Sequence, residues 1–91
     1  MTSSARFEDN HLWHVRSDLP GRVRLICQEL LASPLLRHHC AVTLTSCHWL
    51  QGFRINSLQG SVVVRFPNHR RADLIELLLE ALSLQIGRAH V

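Results

Sequence analysis

The sequence predicts an α+β domain with two helices on one face of a small antiparallel sheet, and three observations predict it. Apolar and polar residues alternate with period 2 from His11 to Cys27. The same alternation returns in two short runs after Gly52. Between and beyond these runs, apolar residues recur at the spacing of one helix face.

In the first run Trp13, Val15, Leu19, Val23, Leu25 and Cys27 hold odd positions, while His14, Arg16, Asp18, Arg22 and Arg24 hold even ones. That is the signature of a half-buried strand. Pro20-Gly21 interrupts the run without changing its parity, so one long bent strand or two collinear ones are expected, with a kink or bulge at the Pro. Residues 1–10 are polar and read as a flexible tail.

Ser33-Pro34 is a helix start, since Ser can cap free N–H groups and Pro suits the first helical position. The helix is expected to run to about Gln51, with Gly52 ending it. Leu36, Cys40, Leu44, Cys47 and Leu50 cluster on one face. Phe53–Asn56 and Ser61–Phe66 read as strands joined by a turn at Gly60. Val62, Val64 and Phe66 are expected inward, and Arg54 and Arg65 outward. Pro67-Asn68 then breaks the sheet, and Asn68 is placed to cap a second helix with a Leu74, Ile75, Leu78, Leu79 and Leu82 stripe.

The resulting β-α-β-β-α order is a ferredoxin-like sandwich that lacks its final strand. Its first strand is therefore expected to carry an open edge. Residues Ile86 to Val91 back-translate as ATC GGA AGA GCA CAC GTC, a string contained in a common sequencing adapter, and Gln85 as CAG fits the two bases before it. The sequence thus divides into a tail over 1–10, a domain over 11–85 and adapter read-through over 86–91.

Composition narrows the function. At 46% hydrophobic and 19% charged residues the chain is globular rather than disordered. No apolar run approaches the roughly 20 residues of a membrane span, so no membrane contact is expected from these residues. Cys27, Cys40 and Cys47 include no C-x-x-C pair and cannot all pair, which points to a reducing, cytoplasmic setting. Cys40 and Cys47 stand about 10.5 Å apart along a helix, too far to share one metal ion. The seven His residues show no ligand spacing and read as solvated polar positions. No nucleophile–base motif, Walker loop or G-x-G-x-x-G is present, so no enzyme and no cofactor are expected.

The net charge is +3 and every one of the ten basic residues is Arg. By strand parity Arg16, Arg22, Arg24, Arg54 and Arg65 share the outer sheet face. Guanidinium groups in that number suit an acidic protein surface, a neighbouring domain or a phosphate-bearing ligand. Nucleic acid fits less well, because RNA-binding sheets stack bases on exposed aromatics and the outward positions offer none. Leu35, Val42 and Trp49 recur every seven residues and predict a second apolar stripe for a partner helix or domain.

The stretch Val15-Arg16-Ser17-Asp18-Leu19-Pro20-Gly21-Arg22-Val23-Arg24-Leu25 and the hairpin from Gln51 to Phe66 resemble a divergent subgroup of the heavy-metal-associated (HMA) domains. The subgroup pattern is an LPGR-V-R-L strand, a helix, then GV-x-x-V-R-x-N-x-x-T-G-S-V-x-V-x-Y. The resemblance spans about residues 12–84 and implies a module of heavy-metal-translocating P-type ATPases or of small stand-alone proteins. Better-known members carry M-x-C-x-x-C after the first strand, where two thiolates take a soft metal ion. The matching Leu19-Pro20-Gly21-Arg22 has no sulfur, so no metal ligand carries over. The resemblance implies a non-catalytic docking or regulatory domain. The alternatives are a metal-binding module using His residues elsewhere, and a nucleic-acid or anionic-partner module using the Arg face.

Overall fold

The structure is a computed structural model and describes residues 6–83. It is an α+β domain with one four-stranded antiparallel sheet. The strands are β1 (His14–Leu19), β2 (Arg22–Ile26), β3 (Gly52–Asn56) and β4 (Ser61–Arg65), in the spatial order β1-β2-β4-β3. The helices are α1 (Glu29–Ala32), α2 (Pro34–Thr45) and α3 (Arg71–Ala81), the last entered through a 3₁₀ turn at Asn68–Arg70.

The opening alternation is not one bent strand. It folds back at Pro20-Gly21 into an antiparallel hairpin with Leu19 opposite Arg22. Gly21 has φ +80°, and Pro followed by a residue at positive φ is the sequence of a type II turn. A bulge then places Arg16 and Ser17 together opposite Arg24. The two-residue turn switches which parity faces inward, and the bulge switches it back. Trp13, Val15, Leu25 and Cys27 thus all reach the helix side, as their odd numbers predict. Only Ser17–Leu19 carries the switched parity, so Asp18 turns toward the helices and Leu19 is half exposed. The expected open edge beside β2 is filled by β1.

Val23, Leu25, Val62, Val64 and Phe66 meet Leu30, Leu36, Cys40, Leu44, Leu74 and Leu78 in one core. Burying each such side chain contributes about 1.5–3 kcal/mol. The N-terminal segment is not wholly a tail: Phe7 is buried against Trp13 and Phe66. Asn10 Oδ1 accepts from Leu12 N and Trp13 N, and Asp9 Oδ1 accepts from Val15 N at 2.7 Å. The segment 86–91, read as adapter sequence, lies outside the described residues.

Ser33 caps α2 as expected, its Oγ accepting from Leu36 N at 3.0 Å. The helix stops at Thr45, not Gln51, and Ser46 takes the C-cap with its Oγ donating to Val42 O. Gly52 therefore ends no helix; it opens β3. Asn68 does not cap α3: its Oδ1 accepts from Arg71 Nη2 at 2.9 Å. Gly60, at φ +67°, closes the β3–β4 hairpin, where a Cβ would stand 2.9 Å from both Cys27 O and Leu31 Cγ. Among the described residues no helix is long and apolar enough to cross a membrane.

Candidate functional site

The sheet turns Val23, Leu25, Val62 and Val64 toward the helices, and among the described residues no helix packs on its other face. Strand register decides what stands there. Arg22 is opposite Arg65, and Arg65 is opposite Gly52 on its other side. One row along, Arg24 and Arg54 flank Val63 from either side. Four guanidinium groups from three strands thus surround Val63 and Gly52, with Arg16 at the β1 bulge beyond them. The register carries the outward parity predicted for Arg22, Arg24, Arg54 and Arg65, while Arg16 is the unpaired residue of the bulge.

They are not equivalent. Arg22, Arg54 and Arg65 are exposed and line one depression of about 420 Å³ together with Gln51, Gly52, Phe53 and Val63. Arg24 is half-buried and Nη2 donates to Gln59 Oε1 at 2.8 Å, so it is partly committed within the fold. Arg16 is exposed at the far edge. Among the described residues no carboxylate pairs with any of the five. All seven carboxylate side chains of the chain lie within the described residues, and none occupies an outward sheet position.

Gly52 is the residue of this site that sequence reading assigned to another task. Its φ is not in the left-handed region, and a Cβ built on it would meet nothing within 4 Å. Neither backbone conformation nor packing requires glycine. Gly52 opens β3, where the missing side chain leaves room for a ligand or another backbone to come close, and the helix-cap reading of the same residue hid that.

Leu35, Val42 and Trp49 do not form a stripe. Trp49 lies beyond the end of α2, packs half-buried against the core, and carries the Arg70 guanidinium 5.2 Å from its ring centroid. Val42 and Trp49 instead line a cleft of about 580 Å³ together with Asp73, Glu76 and Glu80 of α3. Leu35 is exposed on α2 and does not line that cleft.

The sulfur and imidazole groups are dispersed. Burial raises the Cys27 thiol above its ordinary value, against the opposing pull of backbone hydrogen bonds from Leu30 and Glu29. Burial, with a smaller contribution from Cys27, pushes the Cys40 thiol up to about 12. Neither is presented as a thiolate near neutrality. His14 Nδ1 lies 2.8 Å from Asp9 Oδ2, and His39 Nε2 lies 3.1 Å from Glu80 O. Among the described residues no three His, Cys, Asp or Glu side chains come together as a metal site.

Comparison of the chain with protein-family models, with curated proteins and with solved structures returned no match.

Proposed function

We propose that the domain is a non-catalytic docking module that holds an acidic protein surface on the bare face of its sheet. One observation carries this reading: Arg22, Arg54 and Arg65 crowd one depression, and among the described residues no carboxylate pairs with them. Like charges gathered on one surface repel, and an acidic partner relieves that repulsion while making bidentate contacts. The partner is another protein or a neighbouring domain of a longer chain.

We infer further that the architecture is ferredoxin-like, with β1 taking the edge place that the last strand takes in that plan. The order β1-β2-β4-β3 and the antiparallel pairing throughout support it. The HMA resemblance adds a setting, heavy-metal transport, on the strength of the LPGRVRL and Gly52–Phe66 motifs. In this chain Leu19-Pro20-Gly21-Arg22 forms the hairpin turn. The link from β2 to the first helix is Cys27-Gln28, whose one thiol is buried. That arrangement fits docking better than metal delivery.

Titration of the ¹⁵N-labelled protein with poly-glutamate tests the reading. Amide shifts are expected along β2, β3 and β4 around the three arginines, with binding weakening several-fold between about 50 and 300 mM salt. The triple variant Arg22→Glu, Arg54→Glu, Arg65→Glu is expected to abolish the shifts. Shifts confined to the helix side, or untouched by the triple variant, would sink the proposal.

A further inference from the structure

We infer that the acidic partner binds as an extended strand added to the open edge of β3, with carboxylates on alternate residues reaching over Gly52 to Arg65. This deepens the docking reading and rests on it.

The two sheet edges differ. The β1 edge is closed to pairing by its bulge at Arg16 and by the N-terminal arm, whose Asp9 carboxylate takes Val15 N. The β3 edge has neither device. Its register with β4 is regular from Gly52 to Asn56, it contains no Pro, and among the described residues nothing pairs with its outer side. Such an edge presents backbone donors and acceptors ready for one more strand.

Charge selects which strand. A strand paired to β3 would lie about 4.8 Å from it and about 9.6 Å from β4. Its side chains would alternate between the helix side and the bare face. On the bare face the nearest β3 positions are Gly52 and Arg54. A carboxylate beside Arg54 meets that guanidinium directly. One beside Gly52 meets no side chain on β3, so the space stays open to Arg65, and Arg22 stands behind it. With any larger residue at 52, a side chain would fill this corridor. Main-chain pairing supplies affinity and the alternating carboxylates supply selectivity, a division of labour general to strand addition. The occupant is thus an extended acidic segment with an acid at every second residue.

Short fluorescent peptides with Glu alternating with Thr or Val provide the test, read by anisotropy against the intact protein. Two analogues carry N-methyl groups on alternate residues, one in each frame. In an added strand, successive N–H groups point alternately toward β3 and toward solvent. One frame is therefore expected to lose about tenfold or more in affinity and the other about twofold or less. Gly52→Val is expected to weaken the parent peptide about tenfold with its thermal melt unchanged or raised. Equal binding by both methylated frames would overturn strand addition and leave docking by charge intact. If the peptide fails while poly-glutamate still shifts the arginine face, strand addition alone falls. If neither binds, docking falls with it.

Discussion

Arg71 and Arg65 are six residues apart and chemically identical, yet the fold treats them oppositely. The Arg71 side chain is only 14% exposed. It donates to the Asp18 carboxylate, to Leu19 O at 3.0 Å and to Asn68 Oδ1 at 2.9 Å. Its guanidinium lies 5.3 Å from the Phe66 ring centroid and 5.7 Å from that of Phe7. It ties α3 to the β1–β2 turn and to the N-terminal arm. Arg65, like Arg22 and Arg54, has no partner among the described residues. A guanidinium whose donors are spent internally maintains the fold; one left unspent on a crowded basic face is available to something else.

The largest effect should come through pH from a buried thiol, a group that, unlike either arginine, changes charge in an accessible range. The chain has no Lys and no Tyr, so above pH 9 its thiols are the side chains that titrate. Cys40 loses its proton near its ordinary value of 9 when unfolded, but only at about 12 when folded. The unfolded state therefore sheds protons first, and stability should fall as pH climbs from 9 toward 12. Chemical denaturation at stepped pH should show this slope, and Cys40→Ala should reduce it, leaving the part due to Cys27.

Next comes the clasp. Arg71→Met should cost about 2–3 kcal/mol, because it strands the half-buried Asp18 carboxylate and loses the ring contacts. For a domain of this size that lowers Tm by about 10–20 °C. A change of only a degree or two would erase the distinction between the two arginines. Arg24, tied to Gln59 and half-buried, should fall between them: Arg24→Ala should cost about 1 kcal/mol by urea denaturation. The exposed arginines should matter least to folding. Each of Arg22→Glu, Arg54→Glu and Arg65→Glu should stay within about 0.5 kcal/mol while weakening poly-glutamate binding. Smallest is Gly52→Thr, expected to raise stability by about 0.5 kcal/mol, since a β-branched residue suits a strand and the added atoms meet empty space.

The outward arginines were legible because β2 and β4 alternate strictly, with Val23, Leu25, Val62 and Val64 fixing the inward parity. Ser33-Pro34 was legible because a cap is a local event. The hairpin was not. The turn at Pro20-Gly21 and the bulge at Arg16 each invert parity, so the pattern from Trp13 to Cys27 looks continuous although the chain reverses direction. Within the inverted stretch Asp18 and Leu19 still fit the continuous pattern, and only Ser17, polar at an odd position, departs from it, too small a signal to read alone. The end of α2 was hidden for a different reason. Cys47 and Leu50 continue the helical spacing, but they pack inward from a loop that the core holds in place. Leu35, Val42 and Trp49 inherited the same error.

Because the bulge at Arg16 and the Asp9 contact seal one flank of the sheet, β3 is the one open flank among the described residues. Two open flanks would let copies join end to end without limit. With one, strand addition as proposed would stop at a single guest, and self-pairing through that flank could give nothing larger than a dimer, in which the two Arg54 side chains would face each other's charge. Solubility and partner choice would then follow from the same few residues.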